Sequence, residues 1–471
     1  MQSAHESSTK NEAIRPHSWV IIFCLAIAIR LLNVAFLPSD PDTLLQEDAS
    51  QYWTGSAVLL EHGSFSYDSD SGLQPQTERV PGYFVFLAGV QALFGDSLAA
   101  ALIVQSIVDA ITCVLIAGIA AVLSPHLALP TGILAALWPN LIIHSGMMLS
   151  DALFLFPFTS MLFAASRFIA RGNPGWAAIA GLALGLALMT RTVVQLLPFL
   201  MAPAAFAIPL RHRRGIAAAT LATILFLTGA LLPLTPLLHR NFDQFGVIAL
   251  TAQTGSHIVG WVAPLVRRAA DGTPREIGSA ALYADVSGQL SADGKKLEEM
   301  NPFEQSQSLT RFGLDAIVSY PFSAIVKAWA NGAAVNLAAP AVAIDARVRA
   351  LPHPSFDETK GDGLLGQTTN FLSQSSPAYL AVMGGGILLS VLFLGLQGFG
   401  IVALTRDAPW AAFFAALCIG YFLAINGPVG SPKYRLPFEP VLIVLSAIAL
   451  RNLWARLWSL GLKRHRLGRY S

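Results

Sequence analysis

The stretch LAAALIVQSIVDAITCVLIAGIAAV, at residues 98–122, is an apolar run long enough to cross a lipid bilayer. Similar runs recur along a chain of 471 residues that is 54% hydrophobic and only 12% charged. This composition is typical of a polytopic membrane protein. The sequence therefore predicts an all-α transmembrane helix bundle of about ten spans, at residues 18–37, 98–122, 127–146, 152–170, 174–190, 192–209, 215–237, 378–404, 409–426 and 435–457.

The basic residues of the short loops predict the orientation. With ten spans, they all fall on one side of the membrane, which the positive-inside bias assigns to the cytoplasm together with both termini. The loops at 39–97, 238–377 and 427–434 then face outward. The basic residues concerned are Lys10, Arg15, Arg167, Arg171, Arg211, Arg213, Arg214, Arg406, Lys463, Arg464, Arg466 and Arg469.

This topology divides the chain into five regions. The apolar stretches 80–95 and 317–343 are not counted as spans, since a crossing at 80–95 would invert every later loop, and we expect juxtamembrane helices there. The regions are a cytoplasmic N-terminus (1–17), a transmembrane module carrying the candidate site (18–260, with a first outer loop at 38–97), an extracytoplasmic region (261–377), C-terminal transmembrane helices (378–457) and a basic cytoplasmic tail (458–471).

The first outer loop is unusually acidic, with eight carboxylates between residues 39 and 79. Acidic groups beside a membrane span are costly to bury, although most of these fit a solvated loop equally well. Asp48 is the strongest candidate for function. It shares one face with Tyr52 on a predicted surface helix at 47–62, which should end at Gly63.

Arg79 lies further along the same loop, just before the Pro81-Gly82 pair that should begin the embedded helix. Its guanidinium has the planar fork that binds phosphate oxygens in pairs. An arginine that only snorkels to the interface would occupy the same position. The local pattern leaves both interpretations open.

Further charged residues fall on the same predicted face. Asp151, at the start of span four, could cap that helix, act with Asp48 as a base and its orienting group, or help to hold a divalent cation. Arg191 lies near an outer boundary, where it could bind a lipid phosphate or only mark the end of a short span, and Arg240 closes span seven on the outside. The run Lys433-Tyr434-Arg435 places positive charge outside, against the usual bias, and Glu439 is one turn beyond Arg435 as a candidate intramembrane partner.

Together these motifs resemble the integral-membrane GT-C glycosyltransferases, near the bacterial aminoarabinose (lipid A) transferase and protein-mannosyltransferase branch. The resemblance covers residues 18 to about 260 and 378–455, and it is loose over 261–377. The matching segments are Asp48-Ala-Ser-Gln-Tyr52, Arg79-Val-Pro-Gly-Tyr83, Leu149-Ser-Asp151-Ala-Leu-Phe154, Gly185-Leu-Ala-Leu-Met-Thr-Arg191, Arg240-Asn241 and Lys433-Tyr-Arg-Leu-Pro437.

The resemblance implies that a sugar moves from a polyprenyl-phosphate donor to a lipid, glycan or protein acceptor, at the periplasmic face of the inner (plasma) membrane. Asp48 and Asp151 occupy the family's catalytic positions. The prenyl chain would lie between the 80–95 helix and the bundle, and no nucleic acid is expected as a partner. The donor phosphate would bind Arg79, Lys433, Arg435, Arg191 and Arg240, with Glu47, Tyr52, Tyr83 and Tyr434 in support.

Other functions fit part of the pattern. No ligand set demands a cofactor, although a divalent metal ion could bind the two carboxylates. A glycan polymerase or ligase that uses a lipid-pyrophosphate donor would need similar acidic and basic outer loops. A transporter of lipid-linked saccharides would favour an inverted repeat and charges at mid-membrane depth, and neither is evident in the sequence. An inactive homologue of the family is a further alternative.

Overall fold

A computed structural model describes residues 16–38, 40–70, 72–356 and 359–467, with backbone alone at 364 and 459–467. The predicted N-terminal region, with Lys10 and Arg15, lies almost entirely outside the described residues. So does Arg469 in the predicted basic tail, where only the backbone of Lys463, Arg464 and Arg466 is described.

The described residues of the first half form helices, their connecting loops and one short antiparallel hairpin, in which Ser66 pairs with Pro75 and Ser69 with Gly72. Its elements are, in chain order, α1 (Pro16–Ala35), α2 (Pro41–Leu44), α3 (Asp48–His62), β1 (Ser66–Ser69), β2 (Gly72–Pro75), α4 (Gly82–Phe94), α5 (Leu98–Leu123), α6 (Ala128–Ala136), α7 (Pro139–Ser145), α8 (Ser150–Arg171), α9 (Pro174–Thr190), α10 (Leu197–Arg211), α11 (Gly215–Leu231) and α12 (Thr235–Phe245).

The second half contains ten α-helices among its described residues, of which α20 and α22 are the longest, with 31 and 29 residues. Its helices are α13 (Gln253–His257), α14 (Ala263–Asp271), α15 (Arg275–Ala292), α16 (Pro302–Ser319), α17 (Phe322–Ala338), α18 (Ala346–Arg349), α19 (Gly363–Gln374), α20 (Pro377–Asp407), α21 (Pro409–Asn426) and α22 (Glu439–Leu467).

The predicted all-α polytopic bundle is confirmed, and each of the ten predicted spans coincides with a helical segment. Among the described residues, seven helical segments are long and apolar enough to cross a membrane. The predicted span at 127–146 is the bent pair α6 and α7, which meet at 52°. The spans at 174–190 and 192–209 are α9 and α10, of 17 and 15 residues, shorter than the ~20 residues of a full crossing.

Two charged residues that the sequence analysis did not single out lie beside the break between α6 and α7. Arg30 of α1, fully buried, donates from Nη1 to the carbonyl oxygen of Ala136 at 2.6 Å. This bond satisfies a helix-end carbonyl that would otherwise have no partner in an apolar environment. Asp109 of α5 accepts from Arg30 Nε at 2.6 Å and balances its charge. The sequence contains a signal for this ion pair, because Arg30 and Asp109 are each a single charge within an apolar span.

Close helix packing occurs where glycines face a neighbouring backbone. On α9, a Cβ at Gly181 would lie 2.1 Å from the carbonyl oxygen of Phe226 on α11, and one at Gly185 would lie 2.7 Å from that of Gly229. Only glycine permits this approach, and small residues have the same use at other membrane helix interfaces. The resulting pair of helices holds the segment that carries Arg191.

The first outer loop forms α2, α3 and the hairpin before the short apolar helix α4. As predicted, the surface helix ends at His62, and Gly63 adopts the left-handed conformation with φ of 65°. That conformation is favourable for glycine and costly for other residues. The apolar face of α3, with Tyr52 and Trp53, packs on Phe84 of α4. The two helices therefore form one packed unit that supports Asp48.

Candidate active site

The candidate site lies where four loops meet at one end of the bundle. The Arg79 guanidinium donates from Nη2 to Asp48 Oδ1 at 2.6 Å, which joins the start of α3 to the segment before α4. Asp48 keeps 36% of its side chain exposed, whereas Arg79 keeps 17%. Asp48 is therefore both paired and accessible from water.

The position of Arg79 depends on the close approach of Gly82. A Cβ at Gly82 would lie 2.4 Å from the carbonyl oxygen of Met189, near the end of α9. Any larger residue would push the start of α4 away from that helix. Met189 is two residues before Arg191, so this contact brings the two arginines to the same region. The start of the embedded helix, predicted at Pro81-Gly82, thus also depends on a contact with α9, a distant part of the chain.

Glu47 adopts a strained backbone conformation directly before Asp48. Its φ is 51° and its ψ is −119°, and the Ala49 amide donates to the Gln46 carbonyl at 3.0 Å. These angles match the first central position of a type II′ turn, which glycine normally occupies. A non-glycine residue there costs on the order of 1–3 kcal/mol. The turn determines the direction in which α3 begins, and therefore the direction of Asp48.

Tyr52 and Tyr83 connect the first outer loop to the second. The Tyr52 hydroxyl donates to Ser150 Oγ at 3.1 Å, and the Arg79 guanidinium lies 5.5 Å from the centre of the Tyr52 ring. The Tyr83 hydroxyl donates to Gln105 Oε1 at 2.8 Å. Gln105 in turn donates to the carbonyl oxygen of Met147 at 2.8 Å. Gln105 was not predicted, but it holds the loop that precedes Asp151.

Asp151 forms an ion pair with Arg191, across the ends of α8 and α9. The residue that caps α8 is Leu149, so the carboxylate of Asp151 does not act as the N-cap. Arg191 is in an extended conformation that ends α9. The structure therefore contains a second carboxylate–arginine pair at the same end of the bundle as Asp48 and Arg79.

Lys433 lies within electrostatic range of Asp151. Its ammonium is 5.4 Å from the centre of the Tyr434 ring, and no carboxylate in the described part of the chain forms an ion pair with it. Both arginines, by contrast, already hold a carboxylate. Lys433 is thus a cation at this site whose charge is available to an anionic ligand.

Arg435 is directed into the bundle. It donates from Nε to Glu439 Oε1 at 2.7 Å and from Nη1 to the carbonyl oxygen of Leu337 at 2.9 Å. The fully buried Glu439 also accepts from Trp138 Nε1 at 2.7 Å and from Asn140 Nδ2 at 2.8 Å. Arg435 is therefore engaged in a buried network at the bend between α6 and α7, and the suggested partnership with Glu439 is present.

Arg240 also has protein partners. It donates to the carbonyl oxygens of Phe65 and Gln76, at 3.1 and 2.7 Å, and to the side chain of Asn241. These bonds attach both ends of the β-hairpin to the middle of α12. The structure does not bring Arg240 into contact with either carboxylate–arginine pair.

The protonation of Arg79 follows from its surroundings. Burial lowers the pKa of its guanidinium, but Tyr52 and Asp48 outweigh that effect, and the pKa lies above its ordinary value. Arg79 therefore remains cationic at any physiological pH.

Among the described residues, no three His, Cys, Asp or Glu side chains are grouped as metal ligands would be.

A cavity of about 940 Å³ lies between α10 and α21, with α8 and α22 behind it. Its walls are mainly apolar, and it reaches Arg211 and Trp410 at the far end of the bundle. The Tyr421 hydroxyl, at the near end, donates to the carbonyl oxygen of Val193 at 2.7 Å. The cavity therefore begins beneath the segment that carries Arg191. It does not border α4, where the sequence analysis placed the groove for a prenyl chain.

The comparisons with known proteins give one match to a protein family. Residues 76–239 match the family of dolichyl-phosphate-mannose-protein mannosyltransferases. This segment contains Arg79, Asp151 and Arg191 but not Asp48 or Lys433. No curated protein matches the chain significantly.

Two solved structures show the extent of the likeness. The archaeal oligosaccharyltransferase AglB from Archaeoglobus fulgidus, in complex with an inhibitory peptide and a dolichol-phosphate, is 14% identical with a TM-score of 0.50. The match covers 95% of this chain and 51% of AglB, so this chain spans about half the length of that protein. ArnT from Cupriavidus metallidurans is 14% identical over 92% of this chain and 77% of its own, but a TM-score of 0.34 carries no structural argument. The family match and the fold shared with AglB confirm the resemblance of this multi-pass membrane protein to the GT-C glycosyltransferases.

Proposed function

We propose that the protein is a membrane glycosyltransferase that moves a sugar from a polyprenyl-phosphate donor to a lipid, glycan or protein acceptor. The observation that carries the proposal is the arrangement of two carboxylate–arginine pairs and Lys433 at one end of the bundle, above an apolar cavity. This class of donor is supported by two comparisons. The matching family is described as dolichyl-phosphate-mannose-protein mannosyltransferases, and the AglB structure contains a dolichol-phosphate.

The charges of the site suit a phosphodiester. Asp48 with Arg79 and Asp151 with Arg191 are each neutral as pairs, which leaves the positive charge of Lys433 uncompensated. A sugar linked to a polyprenyl phosphate carries one negative charge, and the departing phosphate gains a second. Preorganised cations that face a developing charge lower the barrier to transfer. Lys433, with Arg79 and Arg191 beside it, would fill this role.

The reaction would be a single displacement. The acceptor oxygen attacks the anomeric carbon, its proton passes to Asp48, and the bond from that carbon to the phosphate oxygen breaks. The electron pair of the broken bond stays on the phosphate, opposite Lys433. General-base assistance of this kind contributes typically about 10²–10⁴-fold in rate. Attack from the side opposite the leaving group would invert the anomeric configuration.

The prenyl chain would enter the cavity between α10 and α21. The cavity begins near Arg191 and follows α10, whose 15 residues span about 22 Å, or most of a ~30 Å hydrocarbon core. An apolar chain fits its walls, which include Leu197, Met201, Ala204 and Phe414. In this arrangement the phosphate stays at the membrane boundary while the chain is held inside the bundle.

We further propose that the site faces the periplasm and that the protein lies in the inner membrane. The support is the distribution of basic loop residues at the opposite end of the bundle, such as Arg171, Arg211 and Arg406. The transferred sugar would be a hexose or a pentose carried by the donor. The region 261–377, where the resemblance is loose, would form the acceptor side of the site.

The test is to profile polyprenyl-linked sugars and envelope glycoconjugates by mass spectrometry, in a null strain rescued by the wild type. One sugar should disappear from a glycoconjugate in the null strain while its prenyl-monophosphate form accumulates. If longer pyrophosphate-linked chains accumulate instead, the polymerase or ligase function is supported and the proposal is wrong.

A further inference from the structure

Helix α13 is attached directly to the candidate site. The Ala252 amide, at the start of α13, donates to the carbonyl oxygen of Thr77 at 2.7 Å, two residues before Arg79. The Gly255 amide donates to Ser306 Oγ at 3.0 Å, and a Cβ at Gly255 would lie 2.3 Å from the Ser306 carbonyl oxygen. This short helix is thus held from both sides.

The far end of α13 is connected to the loop that precedes Lys433. Ile258, which follows α13, and Trp329 of α17 both pack against one apolar cluster that contains Ala263 and Ala328. Asn336 of α17 donates to the Val429 carbonyl at 3.1 Å and accepts from the Ser431 amide at 2.9 Å. Helix α17 therefore contacts the last outer loop directly, and it shares this apolar cluster with the residue that follows α13.

His257 is the last residue of α13 and lies within electrostatic range of Lys433. Its side chain is half-buried, and no described residue forms a hydrogen bond or an ion pair with its imidazole. A π-helical turn, Ile258–Val262, follows at once. Such turns are rare and are often found at functional sites. Sequence reasoning assigned this histidine nothing, because it has no ligand spacing.

The surroundings keep His257 uncharged. Burial, and to a lesser extent the neighbouring Lys433, lower the pKa of its imidazole below the usual value. A neutral imidazole still has one N–H donor. It can therefore donate to an anion held by Lys433 without adding a second buried positive charge.

We propose that His257 is a phosphate-binding residue of the donor site, whose imidazole N–H donates to an oxygen of the lipid-linked phosphate held by Lys433. This inference rests on the proposed function and adds a contribution from a helix that lies outside the family match at residues 76–239. The ligand class is a polyprenyl phosphate or its sugar phosphodiester.

The experiment measures the binding of undecaprenyl phosphate, with no sugar, to the full chain in nanodiscs. We expect His257→Leu to weaken binding about tenfold, as for the loss of one hydrogen bond to a charged group. His257→Gln retains a donor and should restore most of the affinity. His239→Leu removes an exposed histidine that pairs with Asp243 on α12, and serves as the matched control with unchanged binding.

Two outcomes would overturn the inference alone. One is wild-type binding in His257→Leu while Lys433→Met and Arg79→Gln lose binding, since the phosphate site would then exist without His257. The other is equal loss in His257→Leu and His257→Gln, which would assign the effect to packing. If the wild type fails to bind undecaprenyl phosphate at all, the proposed function itself falls.

Discussion

Asp48 and Arg79 are joined by a hydrogen bond of 2.6 Å, so the carboxylate proposed as the base is held by a residue proposed to bind the donor. Asp151 and Arg191 repeat the arrangement on the neighbouring loops. A phosphate that enters this group competes with the carboxylates for the arginines. Donor binding would therefore free Asp48 for the acceptor.

Removal of the Asp48 carboxylate should abolish transfer without unfolding the protein. Asp48→Asn is isosteric and takes away the base, so we expect a loss of at least about 10²-fold in rate. The null strain rescued by this variant should lack the glycoconjugate despite normal membrane levels. Asp68→Asn changes an exposed acid of the hairpin and should rescue fully. Full rescue by Asp48→Asn would show that Asp48 is only a solvated loop acid.

The pair formed by Asp151 and Arg191 should stabilise the fold as well as the site. Asp151→Asn leaves Arg191 without its partner at a nearly buried position, and we expect a loss of about 2 kcal/mol in the free energy of unfolding. The double variant with Arg191→Gln should lose less than the two single variants combined, because each single change leaves one charge unpaired. Simple additivity in thermal unfolding would contradict the pairing.

Arg435 and Lys433 should respond differently to substitution. Arg435→Gln breaks the buried network around Glu439, so it should lower thermal stability strongly while the folded fraction still binds undecaprenyl phosphate. Lys433→Met should leave stability almost unchanged and weaken that binding. If the two variants show the opposite pattern, Arg435 is the phosphate ligand and our assignment is wrong.

The strained turn at Glu47 predicts a gain in stability from glycine. Glu47→Gly relieves the positive φ, and we expect an increase of about 1 kcal/mol in the free energy of unfolding. Transfer should fall in the same variant, because the more flexible turn no longer directs Asp48. Arg213→Gly, at the other described non-glycine residue with positive φ, 55°, should gain stability without loss of transfer. Unchanged stability in Glu47→Gly would argue against strain.

The cavity between α10 and α21 predicts a steric block. Ala204→Trp fills the space from α10 and should weaken the binding of undecaprenyl phosphate while leaving a short-chain farnesyl phosphate less affected. Ala207→Trp places the same side chain on the exposed face of the same helix and serves as the control. If both variants bind equally well, the prenyl chain lies elsewhere, for example beside α4.

The sequence by itself determined the fold class, the ten helical segments and the limits of α3. These features depend on runs of apolar residues and on local turn residues such as Gly63, so neighbours in the chain are sufficient to specify them. The sequence also indicated that Asp48 and Asp151 share one end of the bundle, because loop charges constrain topology.

Only the tertiary structure decided which charges pair and which remain available. Arg240 and Arg435 looked like phosphate ligands in the sequence, but each meets carbonyl oxygens brought to it from other parts of the chain. The placement of His257 beside Lys433 and the path of the cavity likewise depend on how distant helices pack. A pairing between residues far apart in the chain leaves no periodic pattern in the sequence. Such a pair forms because folding buries the charged groups, and a buried charge without a partner has a large desolvation cost.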